Sequence, residues 1–198
     1  MKKLLGFTLA ETLIVMGIIG VVAALTLPNL NSSTGDKEKV VKVKKIYQNL
    51  EDAFGRAMVV YGPVDDWFVN DNDATSQRTR FAERLTEFMK ISNSTSNSTA
   101  NIYTLADGTT LKFTSKSMVY FDIDGDNKGK NQETYDIFSI YVENGAFHIE
   151  ENYDVATCMH WCVNYKIGNA CLYWILRFDN MDYLKCPEKL SETNTSCK

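Results

Sequence analysis

Residues 7–27 form an apolar run whose only charged member is Glu11. A helix of that length measures about 31 Å at 1.5 Å per residue, close to the ~30 Å hydrocarbon core of a bilayer. Lys2 and Lys3 precede the run, which predicts a cytoplasmic N-terminus with the remaining chain outside. A secretory signal would have a shorter apolar region and a small-residue cleavage site behind it. Ala23-Ala24 matches such a site poorly, so a retained membrane helix is predicted. Residues 31–35, Asn-Ser-Ser-Thr-Gly, then interrupt the apolar pattern and predict a break or cap. Beyond them Val40, Val43, Ile46, Leu50, Ala53, Phe54, Ala57, Met58 and Tyr61 recur at i+3 and i+4, an amphipathic helix over 36–61 that Gly62-Pro63 ends.

The second half changes period. Residues 64–101 read as a variable connection with a short helical stripe over 77–91 (Phe81, Leu85, Phe88). The Ser/Thr/Asn tract at 92–101 reads as a mobile loop, in which the N-x-S/T matches at Asn93 and Asn97 are too permissive to carry weight. Strands are predicted at 102–105 and 109–114 around Asp107-Gly108, and at 118–123. A second hairpin, 137–142 with 146–150, turns at Asn144-Gly145, a pair that favours the tight primed turn. A long helix followed by four or five antiparallel strands is an α+β plan. The aromatic stretch 171–176 reads as a buried helix or strand.

At 198 residues with 44% apolar and 23% charged, the chain has globular composition, which excludes disorder as its main state. The formal charge of −4 leaves no global basic footprint, and no clear nucleic-acid site is expected. Lys37, Lys39, Lys42, Lys44 and Lys45 read as a solvated helix face just outside the bilayer, with contact to lipid headgroups or to DNA the rivals. The five cysteines, Cys158, Cys162, Cys171, Cys186 and Cys197, all lie in the last 41 residues, and outside the cytoplasm disulfides are the default. Sequence does not choose among the pairings. Cys158-Met159-His160-Trp161-Cys162 also groups thiols with an imidazole, so zinc is a rival, although the spacing is not a standard zinc knuckle. Nothing supplies an orienting third group, an oxyanion donor or a phosphate-binding loop, so no enzyme is expected.

One motif decides the functional reading. Gly6-Phe7-Thr8-Leu9-Ala10-Glu11, behind a short basic leader and ahead of an uncharged helix reaching Pro28, resembles the processing signal of type IV prepilins and type II secretion pseudopilins. The resemblance covers residues 1–30 closely and the rest in general plan. It implies a leader (1–6), a transmembrane and assembly helix (7–30) and an extracytoplasmic pilin-like head (31–198), its long helix packed on the sheet. It further implies that a prepilin peptidase cuts after Gly6 and methylates the new amine at Phe7. Glu11 would pair with the terminal amine of a neighbouring subunit, offsetting the cost of burying either charge alone. Pro28 would bend the helix. Cys186 with Cys197 would close a C-terminal loop, with the Cys158/Cys162 region bridging to Cys171. The partners implied are the peptidase, other pilin or pseudopilin subunits, an inner-membrane assembly platform and membrane lipid.

Asp122, Asp124 and Asp126 alternate, and Glu133 stands twelfth in that loop, which approximates a calcium loop of the EF-hand type. Asn127 stands where the sixth-position Gly belongs, and no flanking helices are evident. Asp122-x-Asp124-Gly125 with Asp136-x-Phe138 also resembles a stretch of pseudopilin-like heads, in which such loops either bind calcium or form a turn held by side-chain to backbone hydrogen bonds. A structural calcium on Asp122, Asp124, Asp126, Glu133 and Asp136 is therefore one expectation and a metal-free turn the other. The function expected is a structural subunit of a type IV pilus or secretion pseudopilus, anchored in the inner membrane and serving secretion, adhesion or DNA uptake. The alternative is a membrane-anchored binding module or adhesin that does not polymerise, which an exposed aromatic patch near 158–174 would favour.

Overall fold

The computed structural model describes residues 9–125, 128–148, 154–191 and 193–197, without the side chains of 23–34. One helix, α1 (Leu9–Tyr61), carries the first part of the chain. It continues through 31–35, where the sequence predicted a break. A backbone ladder needs no apolar stripe, and a single glycine costs only about 1 kcal/mol. The helix stops at Gly62, whose left-handed backbone (φ 78°) returns its N–H to the Met58 carbonyl at 3.0 Å.

The chain divides into two compact units, one up to Glu38 and one from Lys39 to Lys198. In the second, α1 turns Val43, Ile46, Leu50, Ala53 and Ala57 inward with no exposed surface. They share one core with Leu111, Phe113, Val119, Phe121, Phe138 and Ile140 from the sheet. A 3-10 turn (Val64–Phe68) leads to α2 (Ala74–Thr86), which Asp73 caps by accepting from the N–H groups of Thr75 and Ser76. The sheet follows as β1 (Ile91–Ser96), β2 (Asn101–Leu105), β3 (Thr110–Phe113), β4 (Met118–Asp122), β5 (Ile137–Glu143) and β6 (Ala146–His148). All pairings are antiparallel, in strict sequence order. Asn144 and Gly145 both take positive φ (51° and 76°), the primed turn their sequence favours.

The α+β plan is therefore present, but with six strands rather than four or five. The additional strand, β1, lies in the tract read as a mobile loop. It is a polar edge strand whose ladder is main chain on main chain, so it needs no apolar alternation. Arg78, 4% exposed on α2, pins the turn behind it, donating to Asn101 Oδ1 (2.7 Å), the Ser98 carbonyl (3.2 Å) and the Asn97 carbonyl (3.1 Å).

Two helices close the head. In α3 (Val155–Tyr165) and α4 (Gly168–Phe178), α4 is buried from Gly168 through Ile175. It enters so close to β5 that a Cβ on Gly168 would stand 2.9 Å from the Ser139 nitrogen. Two disulfides, Cys162–Cys171 and Cys186–Cys197, tie α3 to α4 and close the C-terminal loop; Cys158 is buried and belongs to neither bridge.

Candidate assembly helix and acidic loop

The first turns of α1 carry the apolar run. Leu9, Leu13, Ile14, Val15, Met16, Ile18, Ile19, Val21 and Val22 are all about half or more exposed, between 49% and 80%. Covering these side chains is worth on the order of 10 kcal/mol, too much to leave on a surface meeting water. Glu11 is exposed on this helix. Among the described residues no helix is long and apolar enough to cross a membrane. The run at 7–27 starts ahead of the first described residue, so Gly6 and Phe7 lie outside the described residues, as does the side chain of Pro28.

The acidic loop is built by backbone capture. Asp136 is fully buried and accepts from three consecutive N–H groups: Lys130 (2.7 Å) and Asn131 (2.8 Å) at Oδ2, Gln132 (2.6 Å) at Oδ1. Asp122 closes a second turn, accepting from the N–H groups of Asp124 (3.2 Å) and Gly125 (3.1 Å). Burial first, and then its hydrogen bond with Asp124, raise the Asp122 carboxyl from 3.8 to about 7. Gly125 (φ 94°) lets the loop approach the β2–β3 turn, where a Cβ would stand 2.6 Å from the Gly108 carbonyl. Gly129 (φ 62°) leaves room for two carboxylates, because a Cβ there would fall on Asp124 Oδ2 and lie 2.9 Å from Asp136 Oδ2.

Asp124 and Asp136 thus meet across Gly129, and Asp124 Oδ1 is buried with no hydrogen-bond partner among the described residues. Hard carboxylate oxygens, one of them orphaned, suit a calcium ion chemically. The set is incomplete, however. No group of three or more His, Cys, Asp or Glu among the described residues is arranged to hold a metal ion. Asp126 lies outside the described residues. Glu133 is exposed and shares with Asp122 a groove over the outer face of β3 and β4, which Lys112 and Tyr120 also line.

The loop is fastened to α1 by a contact that the sequence did not suggest. The ammonium groups of Lys39 and Lys130 lie 3.4 and 4.0 Å from the centroid of the Tyr135 ring. Both ammonium groups are close enough to be attracted by the quadrupole of the one ring, which thereby links the helix to the loop. Lys39 and Tyr135 are too distant in sequence for any local pattern to pair them.

At the cysteine cluster, Cys162 is engaged with Cys171, which removes one thiol from the set considered for zinc. On the same helix His160, Trp161 and Tyr165 form an outward aromatic group, with Trp161 and Tyr165 centroids 5.0 Å apart and Tyr165 60% exposed. No protein-family profile, curated protein or solved structure matches the chain.

Proposed function

We propose that the chain is a non-enzymatic structural subunit, a pilin or pseudopilin. In this reading it is cut after Gly6 by a prepilin peptidase, methylated at Phe7, and assembled by an inner-membrane platform into a type IV pilus or secretion pseudopilus. One observation carries the reading: an apolar helical surface from Leu9 to Val22, whose only charge is Glu11, on the same helix whose later turns contribute to the core of a folded head. Such a surface needs lipid or other copies of itself as solvent, and removal of a six-residue leader would leave it attached to the head. Lipid covers it before assembly, with the N-terminus in the cytoplasm and the head outside, and neighbouring helices cover it afterwards. Glu11 then has a role in register, its charge met by the amine of an adjacent subunit.

The deciding experiment is intact mass and N-terminal sequencing of the chain produced with its own peptidase. The expected product begins at N-methylated Phe7. An N-terminus at Met1, with the peptidase active on a control substrate, removes the filament reading; cleavage beyond Ala23 would instead make the head a released domain. Glu11→Ala is expected to be processed normally and to enter filaments poorly.

For the acidic loop the proposal is a structural calcium held by Asp122 and Asp124, beside the turn that Asp136 fastens through its backbone hydrogen bonds. Its support is the Asp124 oxygen that has no hydrogen-bond partner among the described residues. The reading of the head as a binding module is favoured by one observation, the exposed aromatic group of His160, Trp161 and Tyr165.

A further inference from the structure

Charge in the head is sorted along α1. Lys39 and Lys42 stand one helical turn apart where the helix enters the head. The shared contact with the Tyr135 ring brings the loop carrying Lys128 and Lys130 to the same place. At the other end, Asp65 and Asp66 are exposed on the 3-10 turn directly after the helix, where the Lys116 ammonium, over the Phe68 ring of the same turn, offsets one of the two charges. From Lys39 to Tyr61 the helix rises about 33 Å, so the two groups lie far beyond a Debye length of about 8–10 Å and do not neutralise one another within one molecule. None of these six residues is in an ion pair among the described residues.

Each end also leaves aliphatic side chains uncovered. Val41, beside Lys42, is 67% exposed. Val59, Val60 and Val69, flanking Asp65 and Asp66, are 87%, 60% and 73% exposed. Val41 and Val59 are eighteen residues apart, five full turns at 3.6 residues per turn, so they share one outward face of α1. An apolar centre with a charged margin is the composition of a protein–protein contact, and here the margins of the two ends have opposite sign.

We infer that the lysine end of one head (Val41, Lys42, Lys128, Lys130) docks on the aspartate end (Val59, Val60, Asp65, Asp66) of a second copy of this chain. The two patches are different surfaces, so the contact is head-to-tail; a head-to-tail contact that does not close into a ring propagates as an open helical filament. This inference rests on the filament reading and adds to it which surfaces of the heads meet.

The test is charge reversal in the full chain, by allele replacement in the native cells, with processing and sheared filaments measured separately. Lys42→Glu with Lys128→Glu, and independently Asp65→Lys with Asp66→Lys, place like charges across the contact and are expected to lower filament yield about tenfold or more, with processing unchanged. All four substitutions together restore the opposition of sign and are expected to recover most of the yield. If a reversed pair lowers the melting temperature, Lys42→Gln with Lys128→Gln replaces it, with a smaller loss expected. Reversed pairs that assemble like the wild type, or a fourfold variant no better than either pair, overturn the inference and leave the filament reading standing. A wild-type chain that is processed but forms no filament overturns both.

Discussion

The hydroxyl of Tyr183 donates to the backbone carbonyl of Thr134 at 2.7 Å, and both residues are buried. Thr134 holds a positive φ of 73°, a conformation a β-branched residue rarely adopts. The C-terminal segment thus braces the acidic loop at its least favourable backbone position. Tyr183→Phe keeps the ring and withdraws the donor, leaving the Thr134 carbonyl without it in a dry site. The expected loss is about 1–3 kcal/mol, read as a lower denaturant midpoint at unchanged slope. A midpoint equal to wild type would mean that the carbonyl has another partner.

One pair of cysteines closes a short loop at the C-terminus and a second pair joins α3 to α4, which leaves Cys158 buried beside Tyr173 and outside both bridges. An alkylating reagent should leave the folded oxidised protein unmodified and add a single group once the protein is unfolded without reductant. The bridges span 9 and 11 residues, so removing either pair by Cys→Ala substitution should cost about 2–4 kcal/mol. Two or more adducts on the unfolded oxidised chain would contradict this pairing.

Asp122 makes the acidic loop sensitive to pH. An acid whose pKa is higher in the folded than in the unfolded state retains its proton longer when folded. In chelator, stability is therefore expected to be greatest at the acidic end of this window and to fall as pH rises from 3.8 to about 7. Asp122→Asn should flatten that slope. Calcium favours the ionised carboxylates, so millimolar calcium should raise the melting temperature at neutral pH, and Asp124→Asn should abolish the rise. Equal melting temperatures in chelator and in calcium for the wild type would dismiss the ion and leave a turn held by hydrogen bonds alone.

The legible parts of the fold were those with a local cause. The 3.6-residue recurrence from Val40 to Tyr61 and the Asn144-Gly145 turn specify their elements within a few residues, and both stand where the pattern puts them. The strand β1 was illegible because its side chains are almost all in solvent; it exists through the ladder to β2, and Arg78 of α2 holds the turn that joins the two strands. At the candidate site, Asp122, Asp124 and Asp136 were visible as a spacing. Spacing does not tell a carboxylate that binds an ion from one that captures backbone N–H groups, and Asp136 does the latter three times. The contact of Lys39 and Lys130 with the Tyr135 ring had no sequence signal, since it joins segments that only the folded chain brings together.

The strict order of the sheet has a kinetic meaning. Each strand from β2 to β6 pairs with the one made just before it, so a chain delivered from its N-terminus never exposes an edge waiting for a distant segment. Loop closures stay short, the entropy of each is small, and the growing edge is always the newest one. The two bridged segments come last, after the sheet they cover is complete. Misassembly is then confined to the final fifth of the chain, where oxidation of the wrong cysteine is the error a folding catalyst would have to repair.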